Sequence, residues 1–272
     1  MQLEIITIYA VCDDVLQAMN VTDDEQATIT TAEVMTTALV AARFFGGCHE
    51  HSRAFLKDEH YIPRMLCKSR FNRRLHAIPE ALWQAVFVAI ADAHHMLNAE
   101  HDYIVDSFPV PVCDNIRIRR CRKYRDEAYR GYCANRNRYI YGLKAHVLVT
   151  AAGAPVEVVL APASYSDGRM GKTLHLDLPK GATVYGDAAY TDYAWEDVLE
   201  ATGHVRLHVA RKSNSKRPHP AYVQYLADRV RKQVETTFSQ ITDQMGRRIH
   251  AVTSRGFELK VFLFILAFAI CC

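Results

Sequence analysis

The 272-residue sequence predicts an α/β fold preceded by an all-helical N-terminal domain. Three observations carry this expectation. Apolar residues recur at helical spacing up to about residue 100, short β-rich runs replace them afterwards, and one long amphipathic helix follows those runs. Half of the residues are hydrophobic, enough at this length to bury a sizeable core. The change of period sets the expected boundary, with residues 1–100 as the helical domain and residues 101–272 as the α/β domain.

In the helical part, TTAEVMTTALVAARFFGG reads as a helix with Thr31 as N-cap, Glu33 in its first turn and Gly46-Gly47 as its stop. Further helices follow in HSRAFLKDE, SRFNRRLHAI and PEALWQAVFVAIADAHHML. The stretch IPRMLCKSRFNRRLHAI has the proportions of a helix-turn-helix, with Lys68, Arg70, Arg73 and Arg74 placed to meet DNA phosphates.

After residue 100 the strands are DYIVDSFPV, YGLKAHVLVT, PVEVVLAPA, ATVYGDAAY and HVRLHVA. In the second, Leu143, Ala145, Val147 and Val149 alternate onto one face, and AAGAP turns into the third as an antiparallel meander. Asp192 caps the helix YAWEDVLEAT and Gly203 ends it. The last long helix, YVQYLADRVRKQVETTFSQITDQMG, carries an apolar stripe at Leu226, Val230, Val234, Phe238, Ile241 and Met245.

A formal net charge of +3 is too small to identify a partner by itself. The eight cysteines lack paired C-x-x-C spacing, and the N-terminus lacks a basic flank and a small-residue cleavage site. Both features point to a reducing, cytoplasmic setting with free thiols. The C-terminal run VFLFILAFAICC falls short of the roughly 20 residues that cross a bilayer, so it reads as a buried terminal helix and no membrane partner is expected. Cys113, Cys121 and Cys133 are irregularly spaced with no nearby His, which argues against zinc. His146 and the pair His94-His95 read as packing or surface residues.

Three acids stand out. Asp187, in TVYGDAAYTD, and Asp106, in YIVDSFPV, each end or interrupt an apolar strand, where a carboxylate loses hydration and needs a partner or a metal ion. Glu235 lies at the margin of the apolar stripe, and Arg231 precedes it by one helical turn. That last pair is either a surface salt bridge or a metal-binding carboxylate beside a phosphate-binding guanidinium. Each acid alone also has a plainer reading as a turn residue, a cap or a solvated charge. Together, with the helix packed on the sheet, they suit phosphodiester hydrolysis or transfer, in which two Mg²⁺ ions roughly 3.5 to 4 Å apart serve the attacking and leaving oxygens.

The segment 113–139 concentrates the basic residues that the whole-chain charge conceals. Arg117, Arg119, Arg120, Arg122, Lys123, Arg125, Arg130, Arg136 and Arg138 face only Asp114, Asp126 and Glu127. Tyr124, Tyr129, Tyr132, Tyr139 and Tyr141 are interleaved with them, a mixture suited to phosphates and exposed bases.

These motifs, in this order, resemble the DDE transposases of bacterial insertion sequences, and among them the insertion sequence 982 group. YIVDSFPV is similar to that family's first-Asp strand, YGLKAHVLVTAAGAPVEVVLAPASYSDG to the meander after it, VYGDAAY to the second-Asp strand and RKQVETTFSQ to the helix with the Glu. The resemblance spans residues from about 101 to the end, with a looser likeness of the first hundred to the group's helical leader. Related transposases often extend the helix motif as Tyr-x-x-Arg-x-x-x-Glu with a later Lys. Arg231 and Glu235 fit, whereas Asp228 and Thr242 stand at the Tyr and Lys positions.

The resemblance implies a ribonuclease-H-like mixed sheet with flanking helices and a triad of Asp106, Asp187 and Glu235 holding two Mg²⁺ ions, for which Mn²⁺ can substitute. It implies an endonuclease that cuts DNA at the element's terminal inverted repeats and joins the freed end to target DNA. Arg231 then contacts DNA phosphate, and a homodimer or higher assembly forms on DNA in the bacterial cytoplasm, at the nucleoid. Two other readings fit the residues: a nuclease or resolvase of the same fold without joining activity, and a non-catalytic DNA-binding protein.

Overall fold

The computed structural model describes the chain outside residues 114–117, 120, 134–136, 175, 212–214 and 247, and side chains outside these and Cys133, Asp228, Val230 and Arg231. Contacts divide the chain into a helical unit, Met1–Asp92 with Gln240–Cys272, and a sheet unit, Ala93–Ser239.

The helical unit holds α1 (Gln2–Ala18), α2 (Thr31–Phe44), α3 (His49–Asp58), α4 (Lys68–Ala77), most of α5 (Glu80–Leu97) and the C-terminal helix, α9 (Ser254–Ile270). The N-cap of α2 is Thr30, one residue before the expected Thr31. A capping box needs its acid at the third helical position, and Glu33 stands there relative to Thr30. The Glu33 N–H donates to the Thr30 hydroxyl at 3.1 Å and the Thr30 N–H to the Glu33 carboxylate at 2.6 Å. Thr31 is instead held by Asp23.

Every residue of α9 from Val261 to Ile270 is buried. A helix apolar on all sides must be enclosed, and α2, buried from Val34 to Ala42, is among its neighbours. Gly47 turns the chain there at φ +75°, and a Cβ on it would lie 2.9 Å from the Phe264 ring. Phe87 meets Phe262 at 5.6 Å between ring centres. The apolar C-terminal run is therefore a core helix, and no described helix is long and apolar enough to cross a membrane. The expected boundary at residue 100 followed hydropathy period along the chain, whereas contacts return residues 240–272 to the N-terminal helices. Period is a local property and cannot register that return.

The connection between α3 and α4, residues 59–67, is longer than the three or four residues that join a helix-turn-helix. From α4, Lys68, Arg70 and Arg73 are exposed. Arg74 is turned inward, donating to the Ile29 carbonyl at 3.0 Å and to Asp23 at 2.9 Å.

The sheet unit contains β1 (Asp102–Cys113), β2 (Arg130–Cys133), β3 (Arg138–Thr150), β4 (Pro155–Pro162), β5 (Thr183–Gly186) and β6 (Arg206–Val209). Their order is β2-β3-β1-β5-β6, with β4 also paired to β3. Pairing is antiparallel among β1, β2, β3 and β4 and parallel from β1 through β5 to β6. This mixed sheet with flanking helices is the ribonuclease-H-like arrangement expected. The strand β2 was not anticipated, because RGYC is short and sits among charges.

Three helices follow: α6 (Asp167–Gly171), α7 (Tyr193–Gly203) and α8 (Ala221–Gln244). Asp192 caps α7 through the Trp195 N–H at 3.1 Å, and the helix ends at His204, which takes the left-handed conformation instead of Gly203. Val234, Phe238 and Ile241 of α8 and Met245 just beyond it are buried as expected, but Leu226 is 40% exposed and the buried positions on either side of it are Val223 and Ala227. Helical spacing back from Val234 reaches Ala227; hydropathy had favoured the larger neighbour.

Candidate active site

Asp106 sits on β1 between β3 and β5, opposite Val147 of β3. On its other side the parallel register runs Asp102–Thr183 through Val105–Gly186. Asp187 is the next residue and remains extended at φ −80° and ψ 172°. One further step of the register therefore sets Asp106 and Asp187 side by side, on strands about 4.8 Å apart and on the same face of the sheet. Both are half-buried.

Local hydrogen bonds orient the two acids. The Asp106 Oδ1 accepts the Ser107 N–H at 2.7 Å, and the Asp187 Oδ1 accepts the Ala189 N–H at 2.9 Å in a short 3₁₀ turn, Ala188–Tyr190. Carboxylates anchored this way keep one rotamer, which a metal site requires.

Glu235 lies on α8, which packs on that same sheet face. Phe238, one turn after Glu235, meets Phe108 at 4.8 Å between ring centres, and Phe108 is two residues from Asp106 and so points the same way. The β3–β4 turn fixes the helix further. Thr237 Oγ1 donates to the Gly153 carbonyl at 3.2 Å and Gln233 Nε2 to the Ala152 carbonyl at 3.3 Å. Gly153 has φ +93°, and a Cβ there would fall 2.5 Å from Thr237 Oγ1. Glu235 itself is exposed. Among the described residues no three His, Cys, Asp or Glu side chains are gathered closely enough to hold a metal ion. The Asp106–Asp187 pair offers the hard oxygens that Mg²⁺ takes, and one or two carboxylates are its usual protein share beside water and phosphate. That pair fits such an ion.

Beneath the two acids, on the opposite face, lies a buried polar cluster that the sequence reading missed. Ser107 pairs with His146 across β1 and β3. Ser107 Oγ donates to Asp167 at 2.8 Å, Lys144 Nζ donates to the same carboxylate oxygen at 3.1 Å, and His146 Nδ1 lies 3.7 Å from it. Tyr190, three residues after Asp187, brings its hydroxyl to 3.3 Å from His146 Nδ1. Burial raises the Tyr190 phenol well above the ordinary range, reinforced by the carboxylates of Asp167, Asp106 and Asp187. The phenol is therefore neutral. Burial likewise depresses the His146 imidazole, against the pull of Asp167. A signal for the missing member existed: Lys144 and His146 share a face of an otherwise apolar strand, and a buried cation needs an acid.

The other expected contacts are distributed as follows. Arg119, Arg122 and Arg125 are exposed and Lys123 is half-exposed. Arg117, Arg120 and the Arg231 side chain lie outside what the structure describes. Lys68, Arg70, Arg73 and Arg74 belong to the helical unit.

A family model described as a transposase DDE domain matches residues 99–271. Among curated proteins and solved structures, none matches the chain significantly.

Proposed function

Since the chain belongs to the family of transposases with a DDE domain, we propose that Asp106, Asp187 and Glu235 are its catalytic carboxylates, cutting DNA at the ends of a mobile element and joining the freed 3′ hydroxyl to target DNA. The observation that carries the proposal is the register setting Asp106 beside Asp187 on one sheet face, with the Glu235 helix packed on that face. The motif order favours the insertion sequence 982 group within the family.

Divalent ions, which this family generally uses, supply Lewis-acid stabilisation of the attacking and leaving oxygens of an in-line displacement. Asp106 and Asp187 would hold Mg²⁺, or Mn²⁺ in its place, in orientations set by the Ser107 and Ala189 amides. Glu235 would complete the site, from a helix whose inner side is held by Phe238 and Thr237. Hydrolysis and strand transfer need the same residues, because only the nucleophile changes from water to a DNA 3′ hydroxyl. Exposed Arg119, Arg122 and Arg125 would contact the phosphate backbone, with Arg231 beside Glu235. Joining two ends calls for two active sites, hence a homodimer or higher assembly on DNA.

The test is cleavage and joining of a labelled duplex bearing the element's own end, with Mg²⁺, with Mn²⁺ and with chelator. Wild type is compared with Glu235→Gln and Asp187→Asn. Metal-dependent products that vanish in both variants support the proposal. Cleavage without joining of a pre-cut end would make the chain a nuclease of the same fold. DNA binding with no product under any condition would leave a DNA-binding protein.

A further inference from the structure

Beyond the carboxylates, the β2–β3 hairpin presents an aromatic surface with no role in the chemistry. Tyr132 and Tyr139 face each other directly across the hairpin, their ring centres 5.2 Å apart at 61°. They are 54% and 50% exposed. The Arg130 guanidinium lies over the Tyr139 ring at 4.8 Å from its centre, and the Tyr132 hydroxyl hydrogen-bonds the Asn137 side-chain oxygen at 2.5 Å. The rings are thus held in place although they face water, an arrangement that gains little from the hydrophobic effect within the chain.

Strand alternation fixes which way they look. On β3, Tyr139 is in phase with Ala145 and Val147, which pair with Phe108 and Asp106. Tyr132 and Tyr139 therefore share the sheet face that carries Asp106. Asp106 pairs with Val147, and Tyr139 stands eight residues before Val147 on β3, so the tyrosines lie roughly 26 Å from the acids at about 3.3 Å per residue. That is about eight nucleotide steps at a spacing of roughly 3.4 Å each.

We propose that Tyr132 and Tyr139, with Arg130, form a stacking platform for unpaired bases of a DNA strand running to the Asp106–Asp187 pair. Duplex DNA hides its base faces, so exposed aromatic rings gain most from a base that is out of the helix. Arg130 beside the rings, with exposed Arg138 and Arg125 on the same unit, matches the phosphate charge that accompanies each base. The placement along the strand rests on the transposase reading; the binding of unpaired bases is measured without cleavage and fails independently of it.

The experiment measures binding of the full-length protein to labelled oligo(dT) and to a blunt duplex of equal length, by fluorescence anisotropy in chelator. Tyr132→Ala and Tyr139→Ala are each expected to weaken oligo(dT) binding by about 5- to 100-fold, the range that base–aromatic stacking gives. Duplex binding should change little, and Tyr139→Phe should bind oligo(dT) like wild type because it keeps the ring. Should an alanine variant misfold, photo-crosslinking of wild type to oligonucleotide carrying 5-bromouracil, with the attachment mapped to Tyr132 or Tyr139, tests the same contact. Unchanged oligo(dT) binding in the folded alanine variants, or crosslinks mapping elsewhere, overturns the proposal. So does a shift in oligomeric state with binding intact, which would make the surface a protein interface.

Discussion

Asp167 is the acceptor on which the buried cluster under the candidate site depends, and Asp167→Ala tests that dependence. The substitution removes the partner of Ser107 Oγ at 2.8 Å and of Lys144 Nζ at 3.1 Å. Leaving one member of a fully buried ion pair unpaired costs about 3–5 kcal/mol. The Lys144 and Asp167 side chains retain 19% and 20% exposure, so water relieves part of that, and a loss of about 2 kcal/mol is expected. Urea unfolding can follow the sheet unit alone through Trp195 if Trp83, which lies in the helical unit, is first replaced by Phe. That background is tolerable because Trp83 Nε1 has no hydrogen-bond partner among the described residues. Adding Lys144→Met to Asp167→Ala removes the stranded charge and should recover at least half of the loss. If the single substitution costs under about 0.5 kcal/mol, or the added Lys144→Met recovers nothing, the pair does not couple and the reasoning fails.

Other outcomes are expected from the same structure. The Thr30–Glu33 capping box predicts that Thr30→Ala lowers the stability of the helical unit by about 1 kcal/mol whereas Thr31→Ala leaves that box intact, measured by thermal unfolding. Gly153→Val should destabilise the sheet unit and lower any cleavage activity together, since a side chain at φ +93° is strained and collides with Thr237; full activity in that variant would show that the β3–β4 turn does not fix α8. His146 has its imidazole depressed from 6.5 to about 4. The unfolded chain then takes a proton below 6.5 that the folded chain refuses, so stability falls as pH drops from 6.5 toward 4, by up to about 3 kcal/mol. His146→Gln should flatten urea midpoints over that interval, and an unchanged slope would remove His146 as the cause. On α4, Arg73→Ala should weaken DNA binding and reduce its salt slope by about one, whereas Arg74→Ala should mainly destabilise the helical unit because Arg74 holds Ile29 and Asp23.

Much of this was legible in the sequence because it rests on local patterns. Short β-rich runs located β1 and β4, apolar alternation located β3, and an acid within or at the end of an apolar run singled out Asp106 and Asp187. What escaped was set by partners distant in sequence. The burial of Ala227 in place of Leu226 depends on which side of α8 meets its surroundings. Asp167 sits in SYSDG, which reads as a turn, and its partners Ser107, Lys144 and His146 come from two other strands. The inward turn of Arg74 depends on Ile29 and Asp23, far back along the chain. Glu235 was legible as a helix-margin acid, but the packing of its helix through Phe238 on Phe108 joins residues far apart in sequence, which no spacing rule encodes.

The return of α9 to the N-terminal helices makes the sheet unit an insertion within the helical one. During synthesis, residues 93–239 emerge complete while α2 still awaits one of the surfaces that covers it. The unit with the candidate carboxylates can fold first, and the helical unit is complete only when the last turns of α9 leave the ribosome. A frameshift or stop codon near residue 254 would therefore spare the candidate carboxylates and damage the opposite end of the sequence. Loss of the tail would be read out as a fault in the head.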